Sequence, residues 1–179
     1  MIDWEMERAS VMVGGLFAGI IPFACGVLGA VLANMPVSFT SGLLPPPLLA
    51  LMPVYFWSLV RPDLMPPWAA FVLGLLQDLL SGMPPGVWAA SFIAAYALVD
   101  RQRDSFAGLS GWAAVLGFGI VAFVASLCAF VLVAFYFRTL PPVTPALGLL
   151  IVTVVLYAPV AVILAFFHRR LVGSARTHL

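Results

Sequence analysis

Charged side chains are scarce in this chain. They make up 8% of the 179 residues, lysine is absent, and all eight basic residues are arginines. An average soluble domain is about 25% charged. Hydrophobic residues make up 64% of the sequence, which is more apolar surface than a water-soluble core of this size can cover. The composition therefore predicts an integral membrane protein, and the net charge of +1 argues against a nucleic-acid partner.

Chemically reactive side chains are also few. The two cysteines, Cys25 and Cys128, lie inside apolar runs without the spacing of metal ligands, and we interpret them as small buried hydrophobic residues. The sequence contains no HExxH zinc motif and no glycine-rich phosphate loop. An intramembrane aspartyl protease needs two carboxylates in one site, whereas only one lies at membrane depth here. These absences argue against an enzyme and predict neither a metal nor a cofactor.

Six apolar segments predict six membrane-spanning helices, because a crossing helix needs about 20 mostly apolar residues. Proline, glycine or charged residues separate the segments. We therefore expect an all-α fold, a six-helix transmembrane bundle in a single domain. The second to fourth segments are short, and an alternative joins the region 45–82 into one two-helix hairpin. The predicted spans are 9–33, 47–60, 65–81, 87–99, 111–137 and 144–167.

The arginines are distributed unequally between the two predicted membrane faces. Seven fall on the side of the N-terminus and one, Arg138, on the other, which is the positive-inside pattern. The pattern predicts an even number of spans, with both termini in the cytoplasm. Four residues in two charged turns are then candidate cytoplasmic contacts: Arg61, Asp63, Arg101 and Arg103.

Asp78 is the one carboxylate inside a predicted span, and an ionisable group at membrane depth is a functional-site hypothesis by default. Gly74, Asp78, Gly82 and Gly86 recur every fourth residue. If the helix continues through Gly82, these residues form one stripe. We expect this stripe to be either a helix-packing surface or a surface that faces a partner.

The carboxyl of Asp78 is expected to act as a hydrogen-bonding group and not as a proton carrier, because no His, Lys or Arg lies mid-span to pair with it. An amide of the same shape would then serve nearly as well. The sequence therefore predicts that Asp78→Asn largely preserves assembly and that Asp78→Leu weakens it.

The middle of the chain, from Pro45 to Tyr96, contains Pro46, Trp57, the block from Phe71 to Val87 with its glycine-aspartate ladder, and the segment from Ser91 to Tyr96. In these features it resembles the MreD family of bacterial rod shape-determining proteins. The resemblance implies a six-helix fold similar to the substrate-binding subunits of energy-coupling-factor vitamin transporters.

The resemblance also implies a non-enzymatic scaffold of the cell-elongation machinery, which extends the peptidoglycan wall of rod-shaped bacteria. The implied partner is the transmembrane helix of MreC. Further implied partners are the MreB filament, the glycosyltransferase RodA and a class B penicillin-binding protein. The alternative is a vitamin-type substrate-binding subunit of a membrane transporter, although the predicted outer loops offer few polar groups to recognise a vitamin.

Overall fold

The computed structural model describes residues 20–35, 46–107 and 111–169, and all regular structure in these ranges is helical. A short 3-10 turn, Pro62–Leu64, connects the second and third helices. The helices are α1 (Ile20–Ala33), α2 (Leu51–Val60), α3 (Pro67–Ser81), α4 (Val87–Arg101), α5 (Arg103–Ala107), α6 (Trp112–Phe137) and α7 (Val143–Phe167).

Prolines and glycines set several of the helix ends. Helix α3 begins with Pro67. Proline is favourable here because the N–H that it lacks would have no acceptor within the first turn of the helix. The helix ends at Ser81 and is followed by the C-cap residue Gly82, which adopts a left-handed conformation with φ of 66°. Helix α7 begins directly after Pro142 and continues through Pro159. The local sequence therefore explains where these helices start and stop.

The all-helical structure of the described residues confirms the all-α expectation. The helices lie within or close to the predicted spans, while residues 9–19 of the first span are outside the described residues. Helix α4 extends to Arg101, beyond the predicted end at residue 99, and α5 lies where only a charged turn was expected. The six-span arrangement itself stays a prediction.

Helix α2 is too short to cross a bilayer alone. Its ten residues extend about 15 Å at about 1.5 Å per residue, against a hydrocarbon core of about 30 Å. The chain enters α2 at Leu48, whose N–H donates to the hydroxyl of Thr153 in the middle of α7 at 3.0 Å. Irregular backbone at this depth requires such partners because lipid offers none.

The core lies where α4 packs between α3 and α6, with α2 inserted beside it. Tyr55 of α2 is fully buried and contacts the rings of Phe118 and Tyr157 edge-on, at 5.4 and 5.6 Å between centroids. Phe118 and Tyr157 stack at 4.1 Å. This aromatic cluster joins α2, α6 and α7.

Helices α6 and α7 are long and apolar enough to cross a membrane by length and composition. Only 28% and 17% of their most apolar windows are buried inside the structure, so neither resembles the core helix of a soluble protein. A soluble monomer rarely exposes a contiguous apolar surface of more than a few hundred Å². Their outer surfaces suit lipid. On α6 the exposed stripe is Leu116, Ile120, Phe123, Leu127 and Val131.

The described helices alternate in direction, so their connections gather at two ends of the bundle. The turn between α3 and α4 lies beside the turn between α6 and α7, where Met83 and Trp88 face Pro141 and Pro142 across a small cavity. We call this the 82–86 end. The opposite end, which we call the Arg61 end, also holds Arg101, Arg103 and Arg169, whereas Arg138 lies at the 82–86 end.

Candidate functional site

The Asp78 side chain caps the following helix. It is 1% exposed, and both of its carboxylate oxygens accept main-chain hydrogen bonds from the start of α4. Trp88 N–H donates to Oδ1 at 2.7 Å. Gly86 N–H donates to Oδ2 at 2.8 Å, and Ala89 N–H donates to the same oxygen at 3.3 Å. Three N–H groups of one turn thus converge on one carboxylate from the preceding helix.

Helix α4 has no side chain of its own that caps its N-terminus, and Asp78 provides the cap. The first N–H groups of any helix have no partner within the helix. The residue at the N-cap position is Gly86, which has no side chain to accept from them. The carboxylate of Asp78 takes that role from eight residues upstream. An acceptor at this position also faces the positive end of the helix dipole.

The main chain of Asp78 also ends its own helix. Its carbonyl accepts hydrogen bonds from the N–H groups of Gly82 and Met83, which closes the last turn of α3. One residue therefore ends α3 through its carbonyl and caps α4 through its carboxylate. The two helices and the turn between them form a hairpin, the α3–α4 hairpin, joined at Asp78.

The stripe expected from the four-residue spacing does not continue as one helix face. Helix α3 ends at Ser81, so Gly82 and Gly86 lie in the turn and not on the α3 surface. Both glycines have positive φ, 66° and 102°, a region that favours glycine. A Cβ at either position would meet nothing within 4 Å. Conformation, and not close packing, accounts for these two glycines.

Gly74 is a true packing position. A Cβ there would lie 2.5 Å from Cα of Ala89 and 2.6 Å from the carbonyl oxygen of Trp88. These are main-chain atoms of α4, which cannot rotate away. Gly74 lies one turn before Asp78 on the same face of α3. The close approach at Gly74 therefore places α4 where the Asp78 carboxylate reaches its first turn.

Gln77, which the sequence-based interpretation did not assign to the site, is also buried at this end. Its side-chain oxygen accepts a hydrogen bond from the Asn34 amide at 3.3 Å, and the same amide donates to the carbonyl of Ala30 at 2.8 Å. The Ser81 hydroxyl donates to the carbonyl of Gln77 at 2.7 Å. These contacts attach the end of α1 to the end of α3. The sequence does contain a signal for this role, because Gln77 is a polar residue next to Asp78 in an otherwise apolar run.

The charged turns at the Arg61 end form local surface pairs. The Arg61 guanidinium binds both carboxylate oxygens of Asp63, with the shortest distance 2.7 Å from its Nη2, and this hydrogen bonding raises the pKa of Arg61. Arg103 binds Asp100 at 2.8 Å. Arg101 is exposed in the last turn of α4. Exposed pairs of this kind contribute about 0.2–1 kcal/mol to stability.

His168 connects the end of α7 to the end of α2. Its ring lies 5.5 Å from that of Trp57. Burial lowers the pKa of His168, and the positive charge of Arg61 lowers it further. The ring is therefore a neutral packing group near pH 7.

The described residues contain no cluster of three or more His, Cys, Asp or Glu side chains that could hold a metal ion. The cysteines, Cys25 and Cys128, are unpaired and partly buried. The arrangement around Asp78 joins helices through main-chain groups.

A family model described as rod shape-determining protein MreD matches residues 13–168, which is most of the chain. No curated protein matches the chain, and no solved structure matches it.

Proposed function

The chain belongs to the MreD family of rod shape-determining proteins, and from this we propose that it is a non-enzymatic scaffold of the cell-elongation machinery. It binds the transmembrane helix of MreC and helps to organise peptidoglycan synthesis. It lies in the bacterial inner membrane as a multi-pass protein with both termini in the cytoplasm. MreB, RodA and a class B penicillin-binding protein are the further partners of this proposal.

The main support for the proposal is that the Asp78 carboxylate is hydrogen-bonded to the α4 main chain. Both oxygens of this buried carboxylate accept hydrogen bonds from the α4 backbone. A proton carrier needs a group that is free to exchange protons with neighbours. In the described part of the chain, no His, Lys or Arg contacts Asp78. The group therefore suits a rigid joint, and a rigid joint suits a scaffold.

The rigid α3–α4 hairpin supports the same proposal. Helices in lipid gain little hydrophobic free energy by associating, so partners must fit closely. The α3–α4 hairpin has a fixed shape because Gly74 brings two backbones into contact and Asp78 locks their ends together. A fixed shape lowers the entropic cost of binding a partner helix.

The test is co-purification in mild detergent with mass spectrometry of the intact complex. We expect MreC in stoichiometric amount with the unchanged chain. Gly74→Leu should lose MreC, because leucine at this position clashes with the α4 backbone. Gly74→Ala should weaken MreC binding in the same direction, and its matched control is Gly119→Ala, where an added Cβ stays 3.8 Å from the nearest side-chain atom. MreC should remain bound to this control.

The same experiment tests the vitamin-binding alternative. A transporter subunit would carry a stoichiometric small ligand and would co-purify with ATP-driven transport proteins. That result, without any wall-synthesis protein, overturns the scaffold proposal.

A further inference from the structure

A cavity of about 590 Å³ opens at the Arg61 end of the bundle, away from the α3–α4 hairpin. Its volume is within the range of about 300–1,000 Å³ that is typical of ligand sites. The C-terminal half of α2, the first turn of α6, the α5 residue Phe106 and the last turns of α7 form its walls. The α7 wall consists largely of small residues, Ala158, Ala161 and Ala165, which leave the space open.

The cavity contains an unsatisfied hydroxyl. Tyr157 lines it and is only 3% exposed, yet its hydroxyl has no hydrogen-bond partner among the described residues. The neighbouring Tyr55 hydroxyl donates to the carbonyl of Ala114 at 3.5 Å, the limit of a hydrogen bond. The hydroxyl oxygen is not among the fully enclosed unpartnered atoms of the described residues, so it is accessible from the cavity. A ligand with a polar group near Tyr157 would satisfy this hydroxyl.

The mouth of the cavity is positively charged. Arg169 lines it, and among the described residues this guanidinium has no carboxylate partner. The first turn of α6 also lines it, and Gly111 at the N-cap position offers no side chain to the N–H groups of that turn. Free N–H groups at a helix N-terminus attract anions. Within the described ranges, no Asp or Glu lines the cavity.

We infer that this cavity binds one anionic phospholipid from the surrounding membrane. An acyl chain fills the apolar part between α2 and α7. The phosphate lies between Arg169 and the first turn of α6, and the ester region lies near the Tyr157 hydroxyl. Basic pockets between helices at a membrane surface bind anionic headgroups in this way. The inference is independent of the scaffold proposal, since it concerns the opposite end of the bundle.

The test is native mass spectrometry of the full chain in a neutral detergent, with added dioleoyl phosphatidylglycerol or dioleoyl phosphatidylcholine. We expect one tightly held phosphatidylglycerol and weaker binding of phosphatidylcholine. Arg169→Gln should weaken phosphatidylglycerol about fivefold, equivalent to about 1 kcal/mol for one basic residue near the headgroup. Arg138→Gln, at the other end of the bundle, is the control and should bind like the unchanged chain.

A second pair of variants tests the acyl part of the site. Ala161→Trp should exclude both lipids because the indole fills the cavity. Val155→Trp places the same ring on the outer surface of the same helix, where Val155 is 67% exposed, and should leave binding unchanged. Glycerol 3-phosphate, which has the charge without the chains, should not displace the lipid.

Three results would overturn the inference. They are equal binding of the two lipids by the unchanged chain, unchanged binding by Arg169→Gln, or displacement of the lipid by glycerol 3-phosphate. Arg169 is exposed beyond the end of α7, so its variant is expected to fold and the test remains informative if Ala161→Trp does not.

Discussion

Asp78 and Trp88 are joined by a hydrogen bond of 2.7 Å, from the main-chain N–H of Trp88 to Oδ1 of Asp78. The two residues are ten positions apart in the sequence, and both are buried. A charge-assisted hydrogen bond of this length is stronger than one between neutral groups, and exclusion of water strengthens it further. This contact and its neighbours set the geometry of the α3–α4 hairpin.

Substitution of Asp78 should destabilise the protein in a defined order. Asp78→Leu leaves three N–H groups of α4 without an acceptor, and each buried donor left unsatisfied costs about 1–3 kcal/mol. Asp78→Asn keeps one oxygen and turns an NH2 group towards the remaining donors. The structure therefore changes the expectation from sequence that asparagine would serve nearly as well. Thermal unfolding in detergent should rank aspartate above asparagine and asparagine above leucine.

The control for this series is Asp104→Asn, which removes an exposed carboxylate on α5. Its effect should stay within about 0.5 kcal/mol. An Asp78→Asn protein as stable as the unchanged chain would contradict the capping role.

Gly74 and Gly119 should respond differently to the same added methyl group. Gly74→Ala forces Cβ to within 2.5 Å of the α4 main chain, so the helices must separate and the Asp78 cap must lengthen. Overpacking of this kind costs about 1–3 kcal/mol. Gly119→Ala makes ordinary contact with Val154 and should be neutral or slightly stabilising, since alanine favours helix. Unfolding midpoints of the two variants check this, and equal values would be evidence against the close approach.

The lowered pKa of His168 makes stability depend on pH in a known direction. The folded protein binds a proton at His168 less readily than the unfolded chain, whose histidine has a pKa of about 6.5. The stabilisation that depends on neutral His168 is therefore fully present above a pH of about 6.5. It is lost as the pH falls through the lower pKa of the folded state. Unfolding midpoints at pH 7.5 and 5.5 should differ more for the unchanged chain than for His168→Gln. Equal differences in the two proteins would refute the assignment.

The importance of Asp78 was predictable from sequence because a lone carboxylate in an apolar run must be satisfied. Its role as the cap of α4 was not predictable. The regular spacing of Gly74, Asp78, Gly82 and Gly86 does not show that the chain reverses after Ser81. The two prolines after Gly82 indicated a turn, yet only the folded chain brings the start of α4 back to Asp78. Thr153 and Leu48 are 105 residues apart, so their contact had no local signal. Family membership was predicted and is confirmed.

The orientation that we propose from the arginine distribution has its own test. Reporter fusions after Asp63, Arg103 and Leu179 should report the cytoplasm, because arginine-rich segments are retained there. Fusions near Phe39 and Thr139 should report the periplasm; Phe39 lies outside the described residues. The structure places Arg61 and Arg169 at one end of the bundle, as this orientation requires. A periplasmic C-terminus would contradict the even number of crossings.

The most direct test of the account is the shape of cells whose only copy of the protein carries Gly74→Leu or Asp78→Leu, compared at equal protein levels in the membrane. The α3–α4 hairpin account predicts that both variants lose rod shape. It also predicts that cells with Ser38, Thr40 and Ser41 all changed to alanine keep rod shape; these three positions are outside the described residues. Rod-shaped cells with both hairpin variants, and rounded cells with the loop variant, would contradict it.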